Sequence, residues 1–191
     1  MSHTIKLKKG FDINLAGKAE KKIAECDQPE TFALKPTDFI GIQRPKLMVA
    51  EGDTVKAGTP LLFCKMMEDV KYCAPVSGEI VEIKRGEKRK LLEIKILADK
   101  EIVSEEFKKF TVSELAKIEK QEAIDLMKNS CVWPNIIQRP YGIVANPDET
   151  PKSIFISTFD THPLAPDLDF ALNGEENYFQ AGIDVLRKLT T

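Results

Sequence analysis

The stretch Val49-Ala50-Glu51-Gly52-Asp53-Thr54-Val55-Lys56-Ala57-Gly58, then Leu61-Leu62-Phe63, then Ala74-Pro75-Val76-Ser77-Gly78-Glu79-Ile80-Val81-Glu82-Ile83, decides how this sequence reads. Glycines at 52 and 58 bracket a polar turn, and an apolar strand follows. Pro75 to Gly78 form a second turn, between strands at Val70–Ala74 and Glu79–Lys84. A further strand, Leu91–Leu97, follows the basic turn Lys84-Arg85-Gly86-Glu87-Lys88-Arg89-Lys90. On the N-terminal side, Thr4–Lys8 reads as a short alternating strand and Lys18–Glu25 as a loop or short helix. Phe32–Leu34 is a strand that Pro36 ends, and Asp38–Arg44 is a turn with Phe39 exposed. Many short strands between Gly and Pro turns predict a small barrel or sandwich.

From about residue 111 the hydrophobic period changes. Thr111 or Ser113 caps a helix over 113–128, with Glu114 in its first turn and Leu115, Ile118, Ala123, Ile124 and Met127 at helical spacing. Asn129-Ser130 ends it. Ser153-Ile154-Phe155-Ile156-Ser157 reads as a buried parallel strand, followed by the loop Thr158–Leu168. Glu175–Lys188 then reads as a helix with Phe179, Ile183, Leu186 and Leu189 on one face. Strand, loop and helix open a β–α unit. A lone strand leaves its backbone groups without partners, so either this half pairs with the first half or the chain continues beyond Thr191; continuation is expected, with further domains there, because the sequence stops where the next parallel strand should begin.

Composition narrows the function classes. The chain has 191 residues, 42% hydrophobic and 30% charged, an ordinary globular balance that fits one domain or two small ones. A net charge of −2 gives no global attraction to nucleic acid or anionic lipid. No apolar run approaches the roughly 20 residues of a membrane-spanning helix, and the N-terminus has no apolar core of a secretory signal. The four cysteines (26, 64, 73, 131) form no C-x-x-C pair, and His3 and His162 are far apart, so no metal or iron–sulfur site is expected. The cysteines are expected to be reduced and mostly structural. No serine or cysteine nucleophile constellation and no paired carboxylates stand out, so no catalytic residue is assigned.

The 47–97 pattern resembles the biotinyl/lipoyl carrier domains, or barrel-sandwich hybrids. Those carriers hold a modified lysine at a hairpin apex about 11 residues before the second-half glycine, a spacing that here falls on Met67. Lys65 is then expected on the strand, with Glu68 and Asp69 at the tip, which argues against a carrier. Further motifs follow in order: Gly10-Phe11-Asp12-Ile13-Asn14-Leu15-Ala16-Gly17, Gly86-x-Lys88-Arg89, Trp133-Pro134, Arg139-Pro140-Tyr141, Asp160-Thr161-x-Pro163-Leu164-Ala165, and Phe179-x-x-Gly182-x-x-Val185-Leu186-x-x-Leu189-Thr190. Together they resemble the A-subunits of the Na⁺-translocating NADH:quinone oxidoreductases, across essentially the whole chain. The resemblance implies an α+β chain: a barrel-sandwich hybrid over 1–105, then, over 106–191, the first part of a Rossmann-like α/β domain related to the flavin-binding subunit of complex I.

It also implies a role. The chain would be a peripheral subunit on the cytoplasmic face of the bacterial inner membrane, in a translocase that couples electron transfer from NADH to quinone with sodium transport. It would contribute to quinone binding and assembly and be inactive alone. FMN, FAD, riboflavin and Fe–S centres would belong to partner subunits, as would ion movement. Where the complex I subunit has a glycine-rich phosphate loop, Cys131–Tyr141 has no glycine and two prolines, so neither FMN nor NAD is expected to bind. Trp133, Arg139 and Tyr141 offer rings and donors suited to a quinone, or else are core aromatics and a structural cation. Asp160 and His162 suit a proton relay or simply cap an exposed loop. Phe39 is a further quinone candidate. The alternatives are a ligand-free scaffold and an Rnf-type electron-transfer subunit.

Overall fold

The computed structural model describes residues 6, 15–17, 20–160 and 162–190. The expected strand at 4–8 and most of the Gly10–Gly17 motif lie outside the described residues. The stretch expected as loop or short helix has no regular element over 20–25.

Two antiparallel sheets form the first half. One has the order β1 (Thr31–Leu34), β7 (Leu91–Ala98), β6 (Gly78–Arg85), β3 (Thr54–Val55). The other has the order β2 (Pro45–Leu47), β4 (Pro60–Cys64), β5 (Met67–Cys73). Alternation explains β6: Gly78 and Ile80 are buried while Glu79 and Val81 face out. In β4 the consecutive Leu61 and Leu62 are both fully buried, because the ladder to β5 slips between Pro60 and Leu62. Gly52 and Gly58 take φ of 89° and 97°, a region open to glycine at little cost, which permits the turns around β3. Leu61, Leu62, Val70, Ile80, Ile94 and Ile96 form the centre of the core. Residues 103–105 are stitched to this barrel. Ala57 N–H donates to Val103 O (2.9 Å), Glu105 N–H to Ala57 O (2.8 Å), and Val103 N–H to the buried Ser77 Oγ (2.9 Å).

The second half differs from expectation in three places. The single helix over 113–128 is two: α1 (Val112–Leu115) and α2 (Lys120–Asn129). The step from Ile118 to Ala123 is longer than one helical turn, and Glu119 goes extended so that both can be buried. Thr111 caps α1 in a capping box with Glu114. The expected strand Ser153–Ser157 does not form, and Phe155 is 93% exposed. No described strand is placed beside it, and a strand without a partner leaves its backbone to water. A hairpin not anticipated from the sequence, β8 (Ile137–Gln138) with β9 (Ile143–Val144), is the one strand pair of this half among the described residues. α3 (Leu168–Ala171) and α4 (Glu176–Arg187) follow, and α4 presents half-buried Phe179, Ile183 and Leu186 as its pattern predicts.

The halves share one core: Ile124, Met127, Trp133, Val144 and Leu189 belong to the same buried cluster as the barrel residues. Cys73 on β5 and Cys131 after α2 are joined as a disulfide, with Cα atoms 6.0 Å apart. This corrects the expectation of four reduced cysteines. Cysteines 58 positions apart give no local spacing signal, and only the packing of α2 on β5 brings them together. Cys26 and Cys64 are free.

Candidate functional site

A cavity of about 470 Å³ lies at the seam of the two halves. Phe39 forms part of its wall, placed by a 3-10 turn at Pro36–Asp38 in which Pro36 is buried and its carbonyl accepts the Phe39 N–H (3.3 Å). Phe39 is therefore half-buried, not exposed as expected, and its ring meets the Tyr72 ring edge-on at 4.7 Å. Tyr72 projects from β5, where it pairs with Leu62. Burial pushes its phenol pKa up to about 12, so it remains a protonated donor at neutral pH. Phe107 and Asn135 complete the lining, and Glu105, also at the wall, accepts from Thr59 Oγ1 (2.8 Å). Three rings with a few polar groups suit a flat, partly polar ligand.

The residues singled out from the sequence are only partly gathered. Trp133 is 4% exposed, and its indole Nε1–H donates to Ala145 O (2.8 Å). It is a core aromatic that pins the strand around β9. Arg139 and Tyr141 are exposed on the β8–β9 turn, Tyr141 by 73%. Gly41 of the Phe39 turn packs against Ile143 of β9, so Phe39, Arg139 and Tyr141 occupy neighbouring turns. Asp160 and His162 form a separate exposed pair. Asp160 Oδ1 accepts the His162 N–H (2.9 Å) and lies 2.6 Å from Nδ1. These bonds from the His162 backbone and ring hold the Asp160 carboxyl below its usual range. An ionised carboxylate only accepts, so Nδ1 carries the proton. Among the described residues no hydrogen bond or ion pair joins this couple to Trp133, Arg139, Tyr141 or Phe39.

The segment 131–141 offers a phosphate little. Pro134 and Pro140 have no N–H. The amides of Asn135, Ile136 and Gly142 donate to Val132 O, Trp133 O and Gln138 O at 3.1, 2.9 and 2.9 Å. Tyr72, Phe107 and Asn135 were missed by sequence reasoning. Tyr72 shares its buried strand face with Val70 and Ala74, as residues two apart do, and nothing local marks which strand faces the seam.

One expectation about the barrel is overturned. Lys65 and Met66, both exposed, form the turn between β4 and β5, while Glu68 and Asp69 lie on β5. Counting back from Gly78 fails because the β4–β5 ladder has two irregularities, at Pro60/Leu62 and Phe63/Cys64. Among the described residues no helix is long and apolar enough to cross a membrane, and no group of three or more candidate metal ligands gathers.

Two family descriptions match the chain: the NqrA N-terminal barrel-sandwich hybrid domain over residues 5–99, and the NqrA second alpha/beta domain over residues 118–191. Similar proteins include the A-subunits of the Na(+)-translocating NADH-quinone reductases from Marinomonas sp. (strain MWYL1), 35% identical over 187 residues, and from Glaesserella parasuis serovar 5 (strain SH0165), 36% identical over 187 residues. Another, from Vibrio vulnificus (strain YJ016), is 34% identical over 188 residues. Each comparison covers 97% of this chain and 41% of the relative, so the chain spans about two-fifths of the length of the relatives it matches. With the barrel, the seam and both matching descriptions in agreement, the chain belongs to the NqrA family, that of the A-subunits of the Na(+)-translocating NADH-quinone reductases.

Proposed function

We propose that this chain acts as part of a peripheral subunit of a sodium-translocating NADH:quinone reductase, on the cytoplasmic face of the inner membrane. It helps to form a quinone site and to assemble the complex, while flavins, Fe–S centres and sodium movement belong to partner subunits. The observation that carries the reading is similarity to NqrA proteins over 97% of the chain. The quinone assignment draws support from the seam cavity. Phe39, Tyr72 and Phe107 offer ring faces and edges, and the Tyr72 phenol and the second hydrogen of the Asn135 side-chain amide, whose first goes to Val132 O (3.0 Å), are donors for the two carbonyl oxygens. Arg139 and Tyr141 do not line the cavity; exposed on the turn next to that of Phe39, they would meet a ligand only outside it. Trp133 supports this turn from the core. Asp160 and His162 form an exposed acid–base couple able to pass a proton toward reduced quinone once partner subunits bring the two together. Flavin or dinucleotide binding finds no support in the 131–141 segment, where prolines and committed amides replace a phosphate cradle.

A photoreactive quinone crosslinked in the intact assembly tests the site. Label on peptides containing Phe39, Phe107 or Asn135 is expected. Label confined to other subunits overturns the quinone role and leaves a scaffold.

A second reading has one observation in its favour. Lys65 stands exposed at the β4–β5 apex, where a carrier would hold its prosthetic group. An intact mass equal to that of the bare sequence eliminates it.

A further inference from the structure

A second cleft, of about 580 Å³, opens between the turn that follows Pro36 and the basic turn that joins β6 to β7. Its two walls differ in chemistry. Ile40, Ile42 and Leu91 line one part, and Ile40 is 56% exposed although it is a large apolar residue. Arg85, Lys88, Arg89 and Lys90 line the other. No carboxylate is among the lining residues, and among the described residues these four cations make no ion pair. The cationic wall is also built. Arg85 Nη1 donates to Arg89 O (3.2 Å), and Gly86 N–H donates to Lys90 O (2.8 Å). Lys88 and Arg89 both hold positive φ, 53° and 59°, a region that L residues with side chains seldom occupy. Four unneutralised cations beside apolar side chains call for an anion attached to hydrocarbon.

We infer that this cleft binds the phosphodiester headgroup of an anionic membrane phospholipid, with Arg85, Lys88 and Arg89 on the phosphate and Ile40 against the start of the acyl region. Charge complementarity decides the occupant: a neutral lipid leaves the cations unmatched, and a free phosphate leaves Ile40 in water. The inference deepens the peripheral-subunit reading and rests on it, since it names the surface by which such a subunit meets the bilayer.

The test is sedimentation of the chain with phosphatidylcholine vesicles, with and without phosphatidylglycerol. Binding is expected only with phosphatidylglycerol. Lys88→Gln with Arg89→Gln is expected to weaken it by about fivefold per charge removed. Lys100→Gln with Lys109→Gln, exposed lysines outside the cleft, is expected to leave it unchanged. Equal losses in the two double variants, or no binding to phosphatidylglycerol vesicles, overturn the proposal. Ile40→Ser is expected to weaken vesicle binding as well. If it has no effect, or if inorganic phosphate at matched ionic strength displaces the vesicles, the site belongs to a free anion and the lipid assignment falls. Co-purification of the chain with the other subunits tests the parent reading separately, so failure of the vesicle assay alone leaves that reading standing.

Discussion

Ile94 and Ile96 on one side, and Ile154 to Ile156 on the other, are short runs of the same chemistry with opposite fates. The first pair lies in β7, hydrogen-bonded to β1 on one side and β6 on the other, and both side chains are fully buried. The second run has no described strand beside it: Ile154 packs half-buried against the core, but Ile156 is exposed and Phe155 stands almost wholly in water. Apolar character alone does not make a strand. Backbone N–H and C=O groups must be matched before a side chain can be taken out of water, and the sheet supplies the matches.

The largest test of that contrast is a pair of truncations. Ile94→Ala is expected to cost about 2–5 kcal/mol in urea unfolding, whereas Phe155→Ser is expected to stay within about 0.5 kcal/mol. Comparable losses would break the contrast and place Phe155 in a packed environment. Next in size is the crosslink between the regions. Breaking Cys73–Cys131 by reduction, or by Cys131→Ser, is expected to cost roughly 2–4 kcal/mol, because the bond closes a long loop in the unfolded chain. The unfolded, unreduced chain is expected to show two titratable thiols, from Cys26 and Cys64. Four thiols would dismiss the pairing. Trp133→Phe comes third. It keeps most of the buried ring but leaves Ala145 O without its donor, and about 1–3 kcal/mol is expected. A loss near zero would mean that the hairpin stands without the indole.

The barrel was legible because its signals are local. The turn at Pro75–Gly78 and the apolar-rich runs on either side of the basic turn at 84–90 are read within a few residues, and β6 and β7 follow from them. The Thr111–Glu114 cap is local in the same sense. What was not legible is what forms between distant segments. The apex at Lys65 depends on slips in the β4–β5 ladder, and the disulfide depends on α2 docking on β5. The candidate site suffered most. Phe39 stands out in its turn, but its partner Tyr72 lies on a distant strand, while Trp133, open on sequence alone to a quinone or a core role, takes the core role. Asp160 and His162 were recognisable as a couple because they are two residues apart.

The smallest effect concerns what holds the second half where no sheet does. α1 is a single turn in which the Thr111 hydroxyl accepts the Glu114 N–H (3.3 Å), while the Glu114 carboxylate accepts the Thr111 N–H (2.7 Å). Thr111→Ala is expected to cost about 0.5–2 kcal/mol at neutral pH. The sign of its pH dependence follows from Glu114. Bonds from the Thr111 backbone and hydroxyl hold that carboxyl below its usual 4.5 in the folded chain. A carboxyl depressed on folding stabilises the fold above its unfolded pKa, and that contribution fades as the pH falls through the folded value. The gap between the parent chain and Glu114→Gln in thermal unfolding should therefore be widest at neutral pH and close below pH 4.5. A gap that stays constant through that range would show that α1 is held by packing against α4 and not by its cap.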